Sequence, residues 1–207
     1  AGHKYVTATN KATTSRNGSV VTACSVCRKE KGRTVISYPK TVTLSGTSYT
    51  YSGKAITPSV TVKDSAGKTI APSNYMVYYP GGRKAIGQYA VNIVFKGNYS
   101  GSVQKTFSIG PKGTNISKLS KGKKKMTVKW KKQKSQISGY EIQYSLKKNF
   151  SSGTKAKTAS KKKTSVKISK LKPKKKYYVR IRTYKTVKYN GRSIKVYSAW
   201  SKTKSVK

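Results

Sequence analysis

Leu171-Lys172-Pro173-Lys174-Lys175-Lys176-Tyr177-Tyr178-Val179-Arg180-Ile181-Arg182 runs from a proline-marked turn straight into a strict alternation. Tyr177, Val179 and Ile181 fall on one face, and Tyr178, Arg180 and Arg182 on the other. Successive side chains of an extended chain point to opposite sides, so this pattern reads as a strand with one face in a core and one in water. The same period of two recurs upstream in Met126, Val128 and Trp130, in Tyr140, Ile142 and Tyr144 after Ser138-Gly139, and in Val166 and Ile168. The chain closes on Val196, Tyr197, Ser198, Ala199, Trp200 and Ser201.

Working back toward the N-terminus, the alternation persists. Val42 and Leu44 alternate with Thr41, Thr43 and Ser45; Val60 and Val62 follow Pro58; Asp64-Ser65-Ala66-Gly67 turns before Thr69 and Ile70. Tyr75, Val77 and Tyr79 stop at Pro80-Gly81-Gly82, and Tyr89, Val91, Ile93 and Phe95 precede the turn Lys96-Gly97-Asn98, which leads into Val103, Phe107 and Ile109. Short strands punctuated by turns every 8–12 residues are the signature of a β-sandwich. Composition agrees: the 207 residues include 16 Tyr, while helix-building Ala and Leu are sparse. Gly110-Pro111-Lys112-Gly113-Thr114 is a run of breakers that marks a linker. The expected architecture is all-β, with a small Cys-containing segment over 1–39, one sandwich over 40–110 and a second over 111–207.

Charge divides the chain at the same linker. Residues 1–111 hold 15 basic and 2 acidic residues, whereas residues 112–207 hold 32 basic and 1 acidic, within a total of +44. The acids are Glu30, Asp64 and Glu141, and the one histidine is His3. General acid–base catalysis draws on carboxylates and histidines tuned by their neighbours, and this supply argues against an enzyme. Such a cationic surface attracts polyanions; the plainer reading is lysine solvating the surface and guarding strand edges.

Two family resemblances carry the pattern further. Tyr49-Thr50-Tyr51-Ser52-Gly53-Lys54, Pro58-Ser59-Val60-Thr61-Val62-Lys63-Asp64, Asn74-Tyr75 and Gly97-Asn98-Tyr99-Ser100-Gly101 resemble bacterial immunoglobulin-like repeats in large surface proteins of gut Firmicutes, over residues 40–110. That resemblance implies a stalk or spacer. Trp130, the strand Gly139-Tyr140-Glu141-Ile142-Gln143-Tyr144 and Leu171-x-Pro173-x-x-x-Tyr177 resemble a fibronectin type III domain over residues 114–207. This second resemblance implies that Tyr177 makes the corner whose hydroxyl bonds back to the backbone.

Three groups of residues are candidates for chemistry. Lys121 with Lys123, Lys124 and Lys125, Lys129 with Lys131 and Lys132, the run Lys161, Lys162 and Lys163, and Lys172 with Lys174, Lys175 and Lys176 could bind a polyanion, because counterion release rewards each neutralised phosphate or sulfate. Several of these runs sit at turns, so they would gather at the sandwich ends. Arg180 and Arg182 share a strand face and could stack on Trp200, since Tyr197-Ser198-Ala199-Trp200-Ser201 resembles the tryptophan–serine motif of cytokine-receptor fibronectin domains. That face reads either as a binding surface or as a fold-stabilising ladder. Cys24-Ser25-Val26-Cys27 with His3 could ligate zinc, with Glu30 or water completing the set. A local disulfide and a pair of plain thiols are the rival readings. Gly2-His3 and the CxxC also resemble a short repeat upstream of such surface modules, which implies that a neighbouring copy could supply a missing ligand.

Asn17, Asn98, Asn115 and Asn149 each head an NxS sequence, which would accept a glycan in a eukaryotic secretory pathway; the bacterial resemblance makes them chance products. The chain begins with Ala rather than Met, shows no signal peptide and has no membrane-spanning run, so any export signal or anchor is expected outside it. The function expected is a non-enzymatic extracellular spacer and adhesion module of a bacterial surface or secreted protein, docking on anionic cell-wall polymer or host glycan, with further domains of a longer chain as neighbours. The alternatives are a basic nucleic-acid binder, although no sequence-specific readout motif is present, and an accessory domain of a secreted hydrolase.

Overall fold

The computed structural model describes residues 2–134 and 136–207, and their regular structure is β throughout save for one 3-10 turn at Pro72–Asn74. No helix among the described residues is long and apolar enough to cross a membrane. The chain divides into two compact units: residues 1–47, 56–81 and 89–107 form the first, and residues 48–55, 82–88 and 108–207 the second.

In the first unit, β1 (Tyr5–Asn10), β2 (Gly18–Cys24) and β3 (Glu30–Ile36) form an antiparallel sheet in that order. The sequence reading placed no strands here. Tyr, Val and Thr favour extended backbone, but β1 is exposed along its whole length, so its side chains carry no burial pattern to read. Gly18 has a steric reason: a Cβ there would come within 2.3 Å of the Asn10 carbonyl oxygen and 2.4 Å of the Ala12 nitrogen. Ala12 itself is fully buried, its N–H donating to the Asn98 carbonyl and its carbonyl accepting from the Ser100 N–H.

The rest of this unit follows the predicted alternation. β4 (Pro39–Leu44) pairs antiparallel with β6 (Val60–Asp64), and the intervening β5 (Ser48–Thr50) belongs to the second unit. β7 (Tyr75–Tyr78) pairs antiparallel with β8 (Gly87–Phe95), whose other neighbour is β9 (Ser102–Gly110). Val42, Val62, Ile70, Tyr75, Val91, Ile93, Phe95 and Phe107 are buried. Aromatic contacts order this core: Tyr75 meets Phe95 edge-on at 6.4 Å, and Tyr89 stacks on Phe107 at 5.4 Å.

The second unit is a two-sheet sandwich. One sheet runs β10 (Ile116–Gly122), β11 (Lys125–Trp130) and β14 (Ser165–Ser169). The other runs β13 (Lys155–Ser160), β12 (Gly139–Ser145), β15 (Tyr177–Tyr189) and β16 (Arg192–Tyr197), with β17 (Lys204–Val206) also on β15. β5 lies parallel to the end of β9, Ser48 opposite Ser108. The inward faces are the alternating residues themselves: Met126, Val128, Trp130 and Ile168 from one sheet meet Tyr140, Ile142, Tyr177, Val179 and Ile181 from the other. Burying each of the aliphatic side chains contributes about 1.5–3 kcal/mol, so this cluster supplies most of the unit's stability.

Turns close the sandwich with local chemistry. The two-residue loop Asn190-Gly191 has φ of 48° and 77°, the left-handed pair that matches strand twist in a tight hairpin. At the other end of β15, the Lys172 N–H donates to the Tyr177 hydroxyl at 3.0 Å across Pro173. This is the corner implied by the Leu171-x-Pro173-x-x-x-Tyr177 resemblance.

Candidate functional site

Strand register decides where the lysines go. The β10–β11 hairpin pairs Gly122 with Lys125, and β11 in turn sets Lys125 opposite Ser169. The Leu171 N–H then donates to the Lys124 carbonyl at 3.0 Å. This bond clasps two turns together, so Lys121 and Lys123–Lys125 share one end of the sandwich with Lys172 and Lys174–Lys176. The other two runs go elsewhere. Lys129 stands opposite Ser165, and the Trp130 N–H donates to Thr164 O, which brings Lys131 and Lys132 beside the turn carrying Lys161, Lys162 and Lys163. The lysine runs thus gather at two separate basic ends, all of them solvent-exposed.

The first end has the shape of a receptacle. A concavity of about 650 Å³ is lined by eight lysines, among them Lys121, Lys125, Lys172 and Lys207, around Met126, Leu171, Pro173, Tyr177 and Val206. No acidic side chain lines it. Lys124 and Lys174 hold φ of 50° and 56° there, as does Lys170 beside it at 59°, the left-handed region that costs a side-chain-bearing residue about 1–2 kcal/mol. Glycine or asparagine would sit there more easily. Backbone cost accepted at positions that keep a cation is a pointer to function rather than to packing.

On the outer face of the second sheet the two arginines form a ladder. Arg180 lies 4.1 Å from the Phe150 ring and 4.4 Å from Trp200; Arg182 lies 4.1 Å from Trp200 and 3.6 Å from Tyr197. The order is therefore Phe150, Arg180, Trp200, Arg182, Tyr197. β12 supplies the polar side directly opposite: Arg180 Nε and Nη2 donate to Gln143 Oε1 at 3.0 and 2.8 Å, and Arg182 Nη2 pairs with Glu141 at 2.9 Å. The motif serines hold Trp200 in place, because the Thr183 and Ile181 N–H groups donate to Ser198 Oγ and Ser201 Oγ at 3.1 and 3.0 Å. Burial, reinforced by the neighbouring Arg182 and opposed by Glu141, lowers the Arg180 pKa, while burial and then Glu141 raise that of the Tyr197 phenol. Glu141, the one acid of residues 112–207, is spent inside this ladder. Phe150 and Gln143 were not among the predicted residues; Phe150 lies on the β12–β13 loop with φ of 57°, where no periodicity announces it.

The third cluster also forms. His3, Cys24 and Cys27 bring their ligand atoms within 4.8 Å of one another, with Cys27 Sγ 3.4 Å from His3 Nδ1. Tyr5 pairs with Cys24, and the Ser25 N–H donates to the Lys4 carbonyl at 2.8 Å, which holds His3 over the turn. The turn is closed by the Arg28 N–H on Cys24 O and the Cys24 N–H on Lys29 O. Both cysteines are free of disulfide bonding. The Cys27 and Val26 backbone N–H groups, and then His3, lower the Cys24 thiol pKa to about 6. Glu30 is engaged by Arg33 instead of joining the cluster.

Residues 111–199 match the family model of the fibronectin type III domain. Among solved structures, the chain is similar to the FN1–FN3 domains of chicken CNTN1, with 14% identity and a TM-score of 0.40 over 92% of this chain and 77% of that one. No curated protein sequence matches it.

Proposed function

We propose that this chain is a non-enzymatic, extracellular spacer and adhesion module of a bacterial surface or secreted protein, and that the lysine-lined end of its second sandwich docks on an anionic glycopolymer. The observation that carries this reading is the concavity itself, where two turns clasped by the Leu171–Lys124 bond set eight lysines around an apolar floor. Such a rim neutralises a row of phosphates or sulfates and releases their counterions. Pro173 and the half-buried Val206 give sugar rings a small apolar contact there, above the buried Met126, Leu171 and Tyr177. The ligand class is a phosphodiester cell-wall polymer or a sulfated host glycan, both repeating anions on a carbohydrate or polyol chain. The β-sandwich framework suits a spacer, and the one carboxylate of the basic half is already committed to Arg182.

The test compares two variants of the whole 1–207 chain with equal charge change. One replaces Lys123, Lys124, Lys174 and Lys175 by Ser; the other replaces Lys131, Lys132, Lys161 and Lys162 by Ser. Affinity for a glycerol-phosphate polymer, heparin and duplex DNA is measured across a salt series. The first variant loses at least about tenfold on the glycopolymers at near-physiological salt, and the second loses little. Equal losses, or binding that vanishes for all three polymers by that salt, would make the charge solubilising. A preference for DNA would move the chain to the nucleic-acid class.

A further inference from the structure

We infer that His3, Cys24 and Cys27 form a zinc site, with two thiolates and one imidazole as protein ligands and a solvent molecule in the fourth position. Two sulfurs and a nitrogen are the borderline-soft set that zinc takes, whereas calcium and magnesium take oxygen. The geometry is close to what the ion requires. Tetrahedral zinc with Zn–S of ~2.3 Å and Zn–N of ~2.0 Å separates its ligand atoms by roughly 3.5–3.8 Å. Here the Cys27 Sγ to His3 Nδ1 distance is 3.4 Å and all three ligand atoms lie within 4.8 Å, so side-chain rotation suffices to close the set.

The backbone is built to present these atoms. Cys24 ends β2 in a buried position, and Cys27 projects from a turn closed by the Arg28 N–H on Cys24 O, with Arg28 at φ 59°. His3 reaches the turn because Ser25 binds Lys4 through both its N–H and its hydroxyl. The three ligands therefore come from two separate segments, the lead into β1 and the β2–β3 turn, which is the arrangement by which a metal cross-links a chain. The sheet has a physical need for such a link. β1 is exposed throughout, and β3 is exposed except at Ile36, so little apolar burial holds β1 to β2. Small elements without a sufficient core gain stability from a metal.

The 1–207 chain kept reduced with a phosphine is titrated with Co(II) and then Zn(II), and its metal content is measured after gel filtration. The expected result is one metal per chain with a near-ultraviolet thiolate-to-cobalt band, displaced by zinc. Cys27→Ser halves that band. His3→Ala keeps the band's thiolate intensity but weakens affinity at least tenfold. Both positions are exposed, and an unchanged far-ultraviolet β signal shows that the variants fold. Metal lost on gel filtration, no thiolate band, or a band unaffected by both substitutions would overturn the assignment.

Discussion

Lys124, Lys170 and Lys174 sit in backbone conformations that glycine adopts at no steric cost. If those residues had no part in binding, replacing one by glycine would remove strain and leave every other property alone. Lys174→Gly is therefore expected to raise stability by about 0.5–1 kcal/mol, the relief of left-handed strain less the entropy that glycine adds to the unfolded chain. The same substitution weakens glycopolymer binding several-fold. Chemical denaturation and a binding titration on one protein sample check both signs. A loss of stability, or unchanged affinity, would mean that the lysine there serves packing. The arginines show the opposite case, in which a residue that looks available for binding is consumed by its neighbours. Arg182 is held by Glu141, Tyr197 and Trp200 together, and each cation–π contact contributes ~0.5–1 kcal/mol at an exposed site. These contacts leave Trp200 half-covered.

At the level of strands and turns, alternation made the core legible and register made the site illegible. Met126, Val128, Tyr140, Ile142, Val179 and Ile181 are all buried because a period of two leaves an apolar residue no other face to occupy. Arg180 and Arg182 share a face for the same reason. Register is different, since it depends on which strand meets which. Lys123–Lys125 and Lys174–Lys176 meet because β14 pairs with β11, and nothing within either run states that pairing. The outer strands β1 and β3 escape a sequence reading for a third reason: side chains that water surrounds on both sides obey no hydrophobic pattern. The Tyr177 corner couples fold and site, because the loop it ties carries Lys172–Lys176. Tyr177→Phe removes the acceptor of the Lys172 N–H and is expected to cost about 1 kcal/mol, measured by urea unfolding. No change in the midpoint would show that water replaces the hydroxyl without penalty.

Across the whole molecule, charge is distributed unlike structure. Both units are β, yet residues 112–207 carry 32 of the 47 cations and a single acid. Self-repulsion among these groups opposes compactness, and the large shared core of Ile116, Trp130, Tyr140 and Ile181 with its neighbours offsets it. A charge load confined to surface lysines and kept off the core is compatible with either solubility or docking; only its arrangement separates the two. The decisive measurement is a footprint by amide chemical shift on the 1–207 chain, titrated with a short glycerol-phosphate oligomer at near-physiological salt. Shifts concentrated at residues 121–126 and 171–177 are expected, with the equally basic 131–132 and 161–163 little changed. Shifts spread evenly over both lysine-rich ends would contradict it.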